Sequence, residues 1–259
     1  MPLHPTMSVY FDNPFAVFSV AFIAQVIAAY AGDLLRKRTH SFKQGERHDF
    51  NTVQSGTMVL LGLIIGFSFS MAVTRYDQRK SLEEAEANAI GTMYLRADLL
   101  QGDSGSRTRE LLRKYIALRV AFYQEGDSRR LSEIGEQTAS IQNALWSEVV
   151  STGAASPSPV TALAVSGTND VINAQGYTQA AWWNRIPVGA WAMMALMAIS
   201  SNLLVGYGER RKGELFLFVL PAIVSLSFFV IADLDSPRGG VIHVSPQNLL
   251  AASQAMKQP

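Results

Sequence analysis

The chain has 259 residues, with 22 Lys or Arg, 21 Asp or Glu, and no cysteine. No cysteine means no disulfide and no thiolate metal site, and near-neutral charge gives none of the basic surface of a nucleic-acid binder. Apolar residues make up 48% and are gathered into long runs, the pattern of a polytopic membrane protein. His4, His40, His48 and His243 have no ligand spacing, and no phosphate-loop, zinc-protease or nucleophile-elbow motif occurs. The sequence therefore offers no catalytic constellation, metal site or cofactor site.

Met1 to Asn13 holds no Lys or Arg. Phe15 to Ala31 is apolar apart from Ser19 and Gln25 and is expected to span a membrane, with Gln25 hydrogen-bonding to a neighbouring helix. Ala29-Tyr30-Ala31 imitates a cleavage site, but the run lacks a positive leader and a basic stretch follows, so the span is expected to stay uncleaved. Asp33 to Thr52 is expected to be a polar loop, with Arg36, Lys37, Arg38, Lys43 and Arg47 setting topology or meeting lipid head groups.

The second span dominates the chain. Thr57 to Val73 carries no ionisable side chain, and then Arg75, Asp77, Arg79, Lys80, Glu83, Glu84 and Glu86 follow without a proline. Lipid does not solvate such charges, so the bilayer surface is placed near Thr74, with the helix continuing as a stalk in water. Val59, Leu63 and Phe67 recur every fourth residue on one face, and Gly62 and Gly66 lie beside them as a G-x-x-x-G pair suited to helix packing. Phe69, about 200° round the helix from Phe67, is expected to pack internally.

Gly66-Phe67, then Val73-Thr74-Arg75-Tyr76, resembles the second transmembrane helix of bestrophin anion channels. The whole chain resembles the bacterial bestrophin-like membrane proteins. The close match runs from Val59 to Arg96, with an echo after the last span. The resemblance implies that this helix enters a helical cytosolic domain and that Val59, Leu63 and Phe67 form an apolar pore neck. Thr74, Arg75, Tyr76 and Asp77 then mark the membrane exit. The chain departs from bestrophins at Asp77, where they carry a second aromatic, and at Val59 and Leu63, where theirs are bulkier.

Helical periodicity continues to Asn184. The expected core stripes are Leu82, Ala85, Ala89 and Met93, then Leu111, Tyr115, Leu118 and Phe122. Leu131, Ile134, Thr138, Ile141, Leu145 and Val149 follow, and last Val160, Leu163, Gly167, Val171 and Ala174. Breaks are expected at Gly102–Gly105, at Gly126-Asp127 and at Gly153–Pro159, where Ser156 before Pro157 reads as an N-cap. Trp182, Trp183 and Arg185 are expected to anchor at the next membrane surface.

Ile186 to Val205 is the third span, with small residues for tight packing and Ser200, Ser201 and Asn202 as interhelical contacts or pore groups. A basic turn, Glu209 to Glu214, precedes the fourth span, Leu215 to Ala232, which contains Pro221. Asp233 and Asp235 then stand before a Pro-Arg-Gly turn. In animal bestrophins an acidic cluster here binds calcium. Two carboxylates are too few for a calcium site alone, and the competing expectation is a turn with Asp235 satisfying local amides or pairing with Arg238.

These expectations define an all-α membrane protein. Residues 1–73 supply the first two membrane helices, 74–184 the extramembrane domain, 185–232 the last two helices and 233–259 a tail. Lys and Arg counts favour an external domain, whereas the resemblance implies a cytosolic one in a bacterial inner membrane. The expected function is an oligomeric channel conducting chloride or other small anions, a pentamer being the ring considered, with membrane lipids as surroundings. No span carries a mid-membrane charge, which disfavours a proton-coupled carrier. The alternative is a non-conducting membrane-anchored sensor or scaffold.

Overall fold

The computed structural model describes residues 13–39, 44–208 and 216–257. Lys43, His4, His40 and the basic turn with Arg210, Arg211 and Lys212 lie outside the described residues. Eight α-helices are present among those described: α1 (Pro14–Arg38), α2 (Gln44–Arg96), α3 (Ser104–Gln124), α4 (Ser128–Ala155), α5 (Pro159–Trp183), α6 (Val188–Gly208), α7 (Phe216–Asp235) and α8 (Gln247–Ala255). A 3-10 turn, Ala97–Leu99, follows α2. Four helical stretches are long and apolar enough to cross a membrane, and the chain is an integral membrane protein.

Helix ends follow local chemistry. The Asn13 side chain accepts from the amides of Phe15 and Ala16, with Pro14 in the first turn, while Arg36, Lys37 and Arg38 complement the dipole at the other end. The expected loop from Asp33 to Thr52 is therefore much shorter. Asp33 bonds to Arg36 and Lys37 one turn on, which prolongs α1, and α2 already begins at Gln44. The α5 cap is also displaced from expectation. Ser158, not Ser156, forms a capping box with Thr161, and Pro159 takes the first helical position.

Two compact units divide the chain. The first comprises Met1–Tyr76 and Arg185–His243. Its core gathers Leu61, Ala72, Trp191, Met194, Phe228 and Ile231. Here α1 and α6 touch backbone to backbone. A Cβ on Gly32 would overlap the Leu203 carbonyl, and one on Gly206 would overlap that of Ala29. Deeper in, Gln25 donates to Ser225 at 3.0 Å and accepts from Asn202 at 2.9 Å, tying α1, α6 and α7 together through buried side chains. Both interhelical roles match the sequence pattern.

The second unit comprises Asp77–Asn184 and Val244–Pro259. Its stripes on α3 and α4 follow the pattern, with Tyr115, Phe122, Leu145 and Val149 buried. Those on α2 and α5 do not. On α2 the packed positions are Arg79, Glu83, Glu86, Ala87, Ile90 and Met93, whereas Ala85 is exposed and Leu82 and Ala89 only half-buried. On α5, Val160 and Leu163 are exposed, and Thr161, Ala164 and Thr168 pack instead. Trp182 is no surface anchor. It is buried against the ring edges of Phe122 and Tyr123, leaving Trp183 exposed. The C-terminal residues, expected as a tail, contribute α8 to this unit.

Candidate functional site

One face of α2 stays packed along most of its length. Leu61, Ser68, Ala72, Arg79, Glu83, Glu86, Ile90 and Met93 are all buried. Their spacing of three or four, with one seven-residue step past half-buried Arg75, keeps a single stripe inward. The opposite face is bare. Val59 is 70% exposed, Leu63 50% and Phe67 63%. Gly62 and Gly66 lie on this side, and a Cβ at either would meet open space. An apolar face without a partner in its own chain, on a helix this long, is available to other subunits or to a pore. Phe69 is 43% exposed, so the expectation that it packs internally is corrected: Leu61, at 3%, is the packing residue of this stretch.

The membrane-exit residues take separate tasks. Thr74 is exposed and returns its hydroxyl to the Ser70 carbonyl at 2.9 Å. The Arg75 guanidinium lies 4.0 Å from Asp235. Tyr76 packs on the apolar core of the first unit, and Asp77 is exposed.

Asp235 is buried at the end of α7. It accepts from the Arg185 side chain at 3.1 Å and from the Ile186 amide at 3.0 Å, so it fastens the start of the third span to the end of the fourth. Arg185 is thus an ion-pair partner rather than a surface anchor. Asp233 is also buried and accepts from the Val241 amide at 2.7 Å. Gly240, at φ +88°, turns the chain back here, and any Cβ would collide with the Asp233 carboxylate. Protein donors thus engage both carboxylates. Among the described residues no group of three His, Cys, Asp or Glu is arranged to hold a metal.

The buried charges of the second unit escaped sequence reasoning. Arg119 donates to Glu86, and Thr178 donates to the same carboxylate at 3.0 Å. Glu83 accepts from the Leu249 amide at 2.9 Å and from the Asn248 side chain at 2.7 Å, at the N-terminus of α8. At the other end of α8, the Met256 carbonyl accepts from Tyr94 and Arg113 at 3.1 and 3.0 Å. Burial pushes the Tyr115 hydroxyl well above its ordinary value, with the nearby Glu86 charge adding to the shift. These groups satisfy one another. The signal for them was present in the α2 spacing, which continues unbroken from Ala72 into the charged segment.

The sequence profile of the Bestrophin-like domain matches residues 20–249. The chain belongs to the Bestrophin-like family. The search among curated proteins found no match. Among solved structures, variants of a bacterial Bestrophin homolog from Klebsiella pneumoniae share the fold. One is 12% identical with a TM-score of 0.63, covering 92% of this chain and 97% of the other. A second is 14% identical with a TM-score of 0.63, covering 94% and 96%. A third is 15% identical with a TM-score of 0.62, covering 91% and 98%. Bestrophin-like folding thus extends over almost the whole chain, including the extramembrane unit.

Proposed function

We propose that this protein is an oligomeric ion channel that conducts small anions, with Val59, Leu63 and Phe67 of each subunit lining an apolar neck. The observation that carries this reading is the two-sided α2: packed on one face, bare and apolar on the other. Four helices from one chain are too few to enclose a pore, so a ring of subunits, a pentamer in this reading, is required. Each contributes one α2, with Gly62 and Gly66 at the contact between neighbours. Rings of apolar side chains about 6 Å apart, four residues at 1.5 Å each, shed water readily and make a gate that ions cross only when it wets. Family membership and the shared fold support the same reading. The test is anion flux into liposomes together with the mass of the detergent-solubilised particle. A ring with flux is expected. A monomer or dimer without flux would favour a membrane-anchored scaffold.

A further inference from the structure

Within the first unit, α1 and α6 meet tightly at Gly32 and Gly206 and part towards their first turns. A groove of about 540 Å³ opens there, lined on α1 by Ala16, Val17 and Val20 and on α6 by Ala192 and Ala195. Its floor is Trp191 set edge-on to Phe228, with ring centroids 6.2 Å apart. Alanines face each other across it, so the width comes from missing side-chain bulk. Gln25, the polar residue among its walls, has its amide engaged by Ser225 and Asn202. The groove therefore asks for an apolar occupant.

Shape decides which one. A helix about 10 Å across would fill 540 Å³ with roughly 7 Å of its length, fewer than five residues. A neighbouring helix would touch the rim without seating. An unbranched methylene chain runs along such a slot, and the bilayer supplies one. Charge at the end of the groove adds a second constraint. Val188, in its wall, follows Arg185 by three residues, and Arg185 and Arg75 both face the single carboxylate of Asp235. Cations outnumber that carboxylate, which suits an anionic head group. We propose that the groove between α1 and α6 holds one acyl chain of an anionic phospholipid, with its head group at the Arg185 end. The site is separate from the neck and does not depend on conduction.

The full chain, reconstituted in vesicles of phosphatidylglycerol and phosphatidylcholine, is extracted, washed in detergent and weighed by native mass spectrometry. The parent is expected to retain one lipid per chain, phosphatidylglycerol in preference to phosphatidylcholine. Ala192→Leu with Ala195→Leu fills the slot and should cut retention at least tenfold, whereas Met193→Phe, bulk on α6 outside the groove, should leave it unchanged. Equal retention by the filled variant overturns the site, as does a parent that carries detergent only. Loss of chains from the particle with lipid unchanged assigns the groove to a second copy. Retention without preference overturns the head-group assignment. If the filled variant does not fold, quenching of the parent by brominated acyl chains decides. A washed complex whose quenching disappears in Trp191→Phe supports the site, and quenching that persists rejects it.

Discussion

Arg119 on α3 and Glu86 on α2 form an ion pair with almost no solvent at either side chain. Thr178 on α5 completes the carboxylate's coordination, so three helices of the second unit converge on one acid. The Arg119 guanidinium also lies over the Phe122 ring, 4.5 Å from its centroid. A buried pair of this kind is costly to desolvate, and its net contribution to stability is small. Breaking it is another matter, because the remaining charge has no compensation.

Arg119→Met should therefore destabilise the second unit by about 3–5 kcal/mol, and the double variant Glu86→Leu/Arg119→Met should recover most of that loss. The readout is the temperature at which the detergent-solubilised protein loses monodispersity. A double variant no more stable than the single one would show that the pair is held for more than charge balance.

The glycines predict a contrast between two seams. Gly206→Ala forces α6 away from the Ala29 backbone and should lower the folded yield, with a cost of about 1–3 kcal/mol from overpacking. Gly62→Ala and Gly66→Ala add a methyl group to open space within a chain. They should leave the folded yield intact and act on subunit assembly. Size-exclusion profiles with subunit mass distinguish the two effects.

The α8 helix is fastened with the polarity its dipole requires: Glu83 at the N-terminal amides, Arg113 at the C-terminal carbonyl. Glu83→Ala should remove the carboxylate from this end and expose Gln247–Ala255 to faster amide exchange, by about tenfold or more for a helix-end interaction near 2 kcal/mol. Exchange in α4, which has no bond to Glu83 in the structure's described contacts, serves as the internal reference. Uniform acceleration across the second unit would make Glu83 a general core residue instead.

Acid sensitivity should trace in part to Glu148. The Arg107 side chain, and then the Ser104 hydroxyl, hold its carboxyl below the ordinary value of 4.5. The folded form thus prefers the ionised acid more strongly than the unfolded chain does. Its stabilisation is present above pH 4.5 and is lost as pH falls through the lower folded value. Glu148→Gln should flatten the acid limb of a stability-versus-pH curve below that point. An unchanged limb would assign acid unfolding to other carboxylates.

How far the fold could be read from residues depended on which force set each element. The four spans were legible because long uncharged runs have few alternatives, and α2 because no proline interrupts it. The bare stripe of Val59, Leu63 and Phe67 was legible as a periodicity. Its partner face was not, because Arg79, Glu83 and Glu86 were taken as solvated on their charge alone. Charge gives the cost of burial, and only the tertiary partners Arg119, Thr178 and Leu249 show how it is offset. Trp182 misled for a related reason. An indole near a membrane span suits an interface, but the nearby rings of Phe122 and Tyr123 come from a helix some sixty residues earlier in the chain.

The neck makes the final prediction. Phe67 is the bulkiest member of the bare stripe and lies nearest the charged exit at Arg75. Its ring edge carries partial positive charge, so an edge-on ring favours an anion that has shed water. Phe67→Ala removes both the bulk and that edge, and it leaves the chain's own packing untouched because the ring is largely exposed. The neck should widen and wet, with higher anion flux or weaker selectivity over cations at unchanged folded yield. Leu61→Ala provides the opposite case. Leu61 is buried on the packed face, and its truncation leaves a cavity costing about 2–5 kcal/mol, so yield and thermal stability should fall. Phe69→Ala, on a half-exposed side chain, should fall between the two in stability. Flux in liposomes at matched protein levels separates these outcomes. Conduction that responds to Phe69→Ala and ignores Phe67→Ala would place the pore on a different face of α2.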